Sequence, residues 1–541
     1  MDSLQQFQFV SLLLLVFLVG FGVLAQRLRI PYPIVLVIGG LIVSLIPGLP
    51  RISLDPNLVF LVMLPPLLFS AAYNTSWREF RRNFSTIFSL SFTLVAFTTV
   101  GIGLITHWLI PNMDWRLGLV LGAILSPTDA IAATAIGKRL QLPRRITDIL
   151  EAESLVNDGS GLLALEFTVA IVVSGHTPTI AEGIWRMLYL VVGGIAVGLV
   201  LGRVIYAFER RIENTSIEVT LSLITPYLAY SAGEAIHSSG ILSVVACGLF
   251  LGRRTSLYLS TAARMEGFAT WNTLTFVLNG MAFLLIGLQL PYIRQSTYRL
   301  GASTLIFSGT VVVAAVIGLR LAWVFARQFF ARRLLSRIRR HPLPATSVRG
   351  VFIIGWTGMR GVVSLAAAIS LPETTETGAP FPERATIIYL TFCVIFVTLV
   401  LQGLTLPVII RRLGFNRADG PEQEELSGRK RVIRAALHHL EELRESDGGP
   451  RKQAVYADLA QRYRSRLRNL ENRDGSGAGN DGPEDEDVYD YSLYRSVGRQ
   501  LRTVERATAL QLRDENQIDD DVLRKIEREL DLLDTRYPER I

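Results

Sequence analysis

From residue 7 to residue 411 the chain passes through thirteen mostly apolar runs, nearly all of roughly 18 residues or more. They lie at 7–25, 31–48, 57–73, 84–109, 117–138, 150–174, 184–207, 217–236, 238–252, 268–290, 303–329, 349–371 and 386–411. The eighth and ninth run almost into each other, so that junction is the weakest boundary. Apolar helices of this length hide from water only inside a bilayer, and a helix satisfies its own backbone hydrogen bonds there. The fold class this dictates is an all-α polytopic membrane protein with thirteen transmembrane helices. The first run lacks a basic start and a small-residue cleavage site, so it is expected to stay as a span. Both cysteines, Cys247 and Cys393, fall in apolar runs, which leaves no disulfide framework or zinc site to read.

The connections test the count independently, because Lys and Arg gather on the cytoplasmic side of a membrane. The odd-numbered connections hold 19 Lys and Arg residues, among them Arg81, Arg82, Arg144, Arg145, Arg253 and Arg254; the even-numbered ones hold five, Arg51, Arg116, Arg294, Arg299 and Arg384. One span missed or invented in the middle would destroy that split. The N-terminus is expected outside and the C-terminus inside. Residues 1–412 carry a net charge of +13 and residues 413–541 a net charge of −5. The basic balance thus belongs to loops facing anionic lipid headgroups and calls for no nucleic acid.

From Leu413 onward the chain is polar, and the tail is expected to be helical and cytoplasmic. "RVIRAALHHLEELRES", "KQAVYADLAQRYRSRLRNLENR" and "DVLRKIERELDLLDTRYPER" space their apolar residues as amphipathic helices do, and Asp474 to Asp487 reads as a flexible acidic linker. A regulatory or assembly domain and a set of mutually shielding helices are both open readings. No Gly-rich phosphate loop or Rossmann signature is present.

Ionisable side chains in hydrocarbon cost several kcal/mol, so those deep in a span line a site or pair with each other. Asp129, Asp158, Arg320 and Arg360 all fall about 12 to 17 Å from the cytoplasmic ends of four different spans, near mid-membrane. Helix breakers reach the same level. Pro127 interrupts "GAILSPTDAIAATAIG", and Gly355, Gly358 and Gly361 surround Arg360 in "IIGWTGMRGVVSL". Non-helical backbone at that depth is tolerated only where it lines a cavity or is buried in protein. Spans five and twelve are seven apart and so run in opposite directions, as an inverted repeat requires, and paired breaks of this kind point to a secondary transporter's site.

Freed carbonyls such as that of Thr128, with carboxylates beside them, suit a hard cation that takes oxygen ligands. A carboxylate that binds such a cation can hold a proton instead, and competition for one alternately exposed site is antiport. In span six Ser154 and Asp158 share one helix face, and Glu153 and Asn157 share another about 100° away. The first face can offer a hydroxyl and a carboxylate to an ion; the second can offer a carboxylate and an amide to an arginine such as Arg360. The plainer reading is that Asp129, Asp158, Arg320 and Arg360 neutralise one another as a packing device, and for the two arginines scaffolding is the expected role. Glu151 is expected to be a solvated helix-start charge, and Glu166 and Glu234 to make buried hydrogen bonds. The six histidines lie near span ends, in loops or in the tail, which leaves no histidine relay through the core.

"LPPLLF" at 64–69, "SPTDA" at 126–130, "ESLVNDGSG" at 153–161 and "GMRG" at 358–361 resemble, in order, the signature segments of the bacterial sodium/proton exchangers of the cation:proton antiporter-1 family. The resemblance runs through nearly all of residues 7–412. It implies a homodimer in a bacterial inner membrane, with crossed broken helices in a core domain that moves against a dimerisation domain. It implies no cofactor, Na+ and H+ as transported substrates, Asp158 as the main cation and proton carrier, and Asp129, Ser154 and the main-chain carbonyl of Thr128 as further ligands. Glu153, Asn157 and Arg360 match the family's buried bridge, and Arg320 is a further buried arginine. Asn157 before Asp158, where electrogenic relatives have a second Asp, implies electroneutral one-for-one exchange. Ser70 departs from the acidic residue that follows "LPPLLF" in many members, so any accessory role of that position is in question here. A cation channel, and a membrane-embedded sensor whose tail binds a regulator, are the alternatives from other classes. No enzyme constellation is present, since neither a metal-binding His/Glu pair nor an activated nucleophile lies at this depth.

Overall fold

The computed structural model describes residues 3–47, 54–140, 142–174, 179–296, 301–338, 348–376, 378–414, 419–446, 450–472 and 491–535. Among these the chain is helical wherever it is regular, and the single strand-like pairing is an isolated bridge between Thr374 and Pro380. The chain forms two compact units. The first comprises Met1–Thr75, Phe80–Leu259 and Glu266–Arg417; the second comprises Ala418–Ile541 together with two short pieces of the connections, Ser76–Glu79 and Ser260–Met265. The expected acidic linker at 474–487 lies outside the described residues, as do the loop residues Arg51, Arg299, Arg339 and Arg340.

In the first unit a helix lies within each of the thirteen expected runs. Among the described residues seven helices are long and apolar enough to cross a membrane: Gln8–Leu28, Phe84–Leu109, Arg144–Ser174, Ala181–Glu209, Thr261–Gln295, Ala302–Phe330 and Arg384–Leu413. Tyr32–Ser44, Leu58–Asn74, Trp115–Leu125 and Gly240–Gly252 are apolar and shorter. Several starts are fixed by capping chemistry written in the sequence. Thr179 and Glu182 form a reciprocal capping box, Asn214 accepts from Ile217 N, and Ser239 accepts from Leu242 N.

Without a hydrophobic driving force in lipid, helices associate through close backbone packing at small residues. The Leu94–Leu109 and Trp115–Leu125 helices do this: a Cβ added to Gly122 would lie 2.7 Å from Thr99 Cα, and one added to Gly118 would lie 2.8 Å from Gly103 Cα. This contact seats Trp115–Leu125, the helix that runs into the first break, against its neighbour. Three π-helical turns, Leu58–Met63, Ser89–Thr93 and Thr398–Gln402, widen longer helices locally.

Among the described residues the second unit holds four helices, Asp419–Ser446, Pro450–Asn472, Tyr491–Asp514 and Asp520–Thr535. Two apolar clusters hold them together, one of residues such as Ile433, Leu440, Tyr456 and Leu501, the other of Val432, Leu512, Val522 and Ile526. The sequence reading singled out three amphipathic segments and passed over Tyr491–Asp514, whose Val497 and Leu501, one turn apart, are both buried.

The packing argument is open to a paired test of thermal unfolding in detergent. Gly122→Ala meets backbone that cannot rotate away, and overpacking of this kind costs about 1–3 kcal/mol; its unfolding midpoint is expected to fall. Gly20→Ala, whose added Cβ has nothing within 4 Å, is expected to leave the midpoint unchanged or raise it. Equal midpoints for the two variants would contradict the account.

Candidate functional site

Two helices break in mid-run. The first stops at Leu125 and restarts at Ile131; the second stops at Trp356 and restarts at Val362. In the first break Pro127 has no N–H to give and disfavours helix at Ser126. In the second, Gly358 and Gly361 admit neighbours that a side chain would exclude: a Cβ on Gly361 would sit 2.6 Å from Asp129 Oδ2, and one on Gly358 would sit 2.3 Å from Arg320 Cδ. The breaks are joined backbone to backbone, Asp129 N donating to Met359 O at 2.8 Å. Asp129 Oδ1 accepts from Ile131 N at 2.8 Å and so starts the helix that follows.

The Arg144–Ser174 helix supplies the remaining polar groups. Its Gly161 lets Pro127 approach, since an added Cβ would lie 2.3 Å from Pro127 Cγ. Ser154 Oγ accepts from Ala130 N at 3.3 Å, so one helix face holds an amide freed by the break. On the next face Thr128 Oγ1 donates to Glu153 Oε1 at 3.1 Å and accepts from Asn157 Nδ2 at 2.7 Å. Asp158 is half-buried one turn beyond Ser154, and the charge it feels most is that of Asp129. Asp129, Asp158, Ser154 and Thr128, expected to act together, are thus brought to one place. Two carboxylates and a hydroxyl pair around unwound backbone is an oxygen-donor set suited to an alkali cation or a proton.

The arginines divide their work differently from the expectation. Glu153, 0% exposed, is held by Arg320, also buried, through a contact to Oε1 and a 3.0 Å bond from Nη2 to Oε2. Arg320 Nη2 also donates to Ile354 O at 3.0 Å. Arg360, the partner expected for Glu153, instead gives Nε to Leu125 O at 2.8 Å and Nη1 to Gly358 O. The reason lies in the breaks. A helix that stops at Leu125 leaves carbonyls without intrahelical donors, a cation at that end is favoured by the helix dipole, and both oxygens of Glu153 are already engaged. Arg360 therefore closes the broken backbone, and Arg320 neutralises the carboxylate.

Three further expectations need correction. Glu166 is not buried; it pairs at the surface with Arg186 at 2.6 Å. Glu234 is also exposed, and its Oε1 accepts from Gly240 N at 3.1 Å. The helix carrying Glu151 begins at Arg144, which leaves Glu151 two turns inside it and half-buried. Sequence reasoning also missed Ser91 and Thr398. Ser91 Oγ donates to Glu153 O at 3.2 Å, Ser160 Oγ donates to Ser91 O, and Thr398 Oγ1 accepts from Arg360 N at 3.3 Å. Both lie on π-helical turns, and a lone Ser or Thr in an apolar run carries no signal, because such hydroxyls ordinarily bond the carbonyl one turn back.

An all-helical membrane unit with two mutually bonded breaks beside a carboxylate-bearing helix defines a multi-pass membrane protein of the transporter class. The fold is similar to that of the sodium proton antiporter MjNhaP1 of Methanocaldococcus jannaschii at pH 8, with a TM-score of 0.60 and 19% identity over 76% of this chain and all of that one. The description of the sodium/hydrogen exchanger transmembrane family matches residues 13–412, and the chain belongs to that family. It is 33% identical to a sequence described as an uncharacterized Na+/H+ exchanger of Mycobacterium tuberculosis, over 94% of this chain and 92% of the other. It is 31% identical to a sodium, potassium, lithium and rubidium/H+ antiporter of Bacillus pumilus, over 86% of this chain and 70% of the other.

Breaking a buried ion pair by removing one partner costs about 3–5 kcal/mol, because a bare charge remains. Arg320→Met is therefore expected to lower the folded yield and thermal midpoint sharply, and adding Glu153→Gln to it to recover part of the loss. Fluorescence-detected size exclusion after graded heating checks this; an Arg320→Met protein as stable as the wild type would show that Glu153 is neutralised otherwise.

Proposed function

We propose that this protein exchanges a monovalent cation for a proton across a bacterial inner membrane, by alternating access, one for one and without net charge movement. The observation that carries the reading is the convergence of Asp129, Asp158, Ser154 and Thr128 at two bonded helix breaks. Asp158 is the carrier: it holds either the cation or the proton, with Asp129, Ser154 Oγ and the Thr128 carbonyl completing the cation's oxygen shell. Asn157 beside it contributes an amide rather than a second charge, which supports electroneutral exchange. Glu153 with Arg320, and Arg360 on the broken backbone, position the site without touching the ion.

The same reading has thirteen crossings arranged as inverted repeats, an external N-terminus, a cytoplasmic tail and a homodimer, and it assigns the protein to sodium and pH homeostasis. Sodium is the first substrate to test, with lithium, potassium and rubidium next, because the Bacillus pumilus relative carries all four in its description.

Reconstituted vesicles with a trapped pH dye test the proposal. A sodium gradient is expected to drive proton movement whose rate saturates with sodium and is unchanged when the membrane potential is clamped at zero. Asp158→Asn is expected to reduce that rate to the level of empty vesicles while the folded yield stays near normal. Retained activity in Asp158→Asn would show that the carrier lies elsewhere, and a rate that rises linearly with sodium without saturation would favour a channel.

A further inference from the structure

The second unit holds a carboxyl group that the antiport reading does not use. Glu505, on the Tyr491–Asp514 helix, is 0% exposed, and its Oε2 is buried with no hydrogen-bond partner among the described residues. Its Oε1 lies 3.5 Å from Arg466 Nη1 on the Pro450–Asn472 helix, a long contact for an ion pair. Arg466 is more closely engaged elsewhere, with Nη2 2.5 Å from Glu529 Oε1 on the Asp520–Thr535 helix. Glu529 Oε2 is in turn 2.8 Å from Arg429 Nη1 on the Asp419–Ser446 helix. All four helices of the tail thus send a charged side chain to one junction.

The other titratable and charged groups facing Glu505 are the Tyr463 hydroxyl, which bonds to it, and Arg502 on its own helix. The adjacent Arg506 is taken up by Asp531 at 2.5 Å, and Asp531 also receives Arg264 at 2.7 Å, both within this unit. Arg466 therefore serves two carboxylates, of which Glu529 has the shorter bond. An ionised Glu505 has to keep a charge where one oxygen is buried away from solvent and has no donor among the described residues, which costs more than a neutral acid at the same place.

We propose that Glu505 is a second proton-binding site of this protein, built into the four-helix tail unit, whose proton decides whether Arg466 serves Glu529 alone or is divided between two carboxylates. Burial pushes the Glu505 carboxyl up to about 7, with Glu529 acting in the same direction and Arg466, Arg502 and the Tyr463 hydroxyl against it. Because that value is above the ordinary 4.5, the stability that goes with the neutral form is full at acidic pH and is lost as the pH rises through about 7. The tail then tightens on acidification and loosens on alkalinisation.

Infrared difference spectra of the full-length protein in detergent, wild type minus Glu505→Gln, test the site directly. Subtraction removes every other acid, and a protonated-carboxyl band is expected at about pH 6 that vanishes by about pH 8. A difference spectrum with no such band at about pH 6 would overturn the proposal. Should Glu505→Gln fail to fold, Tyr463→Phe decides. It removes a hydrogen bond that favours the ionised form, so the carboxyl titration is expected to move up by about one pH unit. A titration left in place by Tyr463→Phe would overturn the proposal equally.

Discussion

Backbone that leaves the helix inside a bilayer must find partners within the protein, and this one requirement organises the membrane unit. Pro127 and the glycines around Arg360 open two helices, and each opened end is closed by a specific group. Asp129 N is taken by Met359 O, Ile131 N by the Asp129 carboxylate, Ala130 N by Ser154 Oγ, and Leu125 O by Arg360 Nε. Those closures bring the polar faces of the Arg144–Ser174 helix against the breaks and set Asp158 beside Asp129. The site is a by-product of satisfying broken backbone, since the same side chains that close the breaks can also offer oxygens to an ion.

The buried Glu153–Arg320 pair belongs to the same logic. An ion pair at 0% and 2% exposure gains little net stability once desolvation is counted. Its use is geometric. Glu153 fixes Thr128 through the hydroxyl, Arg320 fixes the chain before the second break through Ile354 O, and the two breaks are thereby indexed to one helix. The tail unit solves a different problem in water, where surface ion pairs contribute little. There the group at stake is Glu505, which burial pushes toward the neutral form while Arg466, Arg502 and the Tyr463 hydroxyl favour the charged one.

Much of this was legible in the sequence. Run length located the helices, because hydrophobic thickness acts on composition directly. Pro127 and the glycine trio located both breaks, and the four-residue spacing of Ser154 with Asp158 and of Glu153 with Asn157 gave the two faces of one helix. The pairing of arginines was not legible. Arg320 lies on the Ala302–Ile338 helix and Arg360 in the unwound backbone of the second break, and only the fold decides that Arg320 reaches Glu153 while Arg360 reaches Leu125 O. Ser91 and Thr398 were invisible because a π-helical turn shifts the register of a helix without changing its composition. Glu166 was misread for a related reason: depth along a span says nothing about which side of the helix faces outward.

The central claim is that one carboxylate pair, Asp158 with Asp129, holds a cation or a proton and not both at once. Proton release on cation binding measures that competition without any transport step. Sodium added to purified protein in weakly buffered detergent solution is expected to acidify the medium by about one proton per cation bound, with smaller release at alkaline pH where the site is already empty of protons. Sodium that binds with no proton released at any pH, or a release that persists unchanged in Asp158→Asn, would contradict the account.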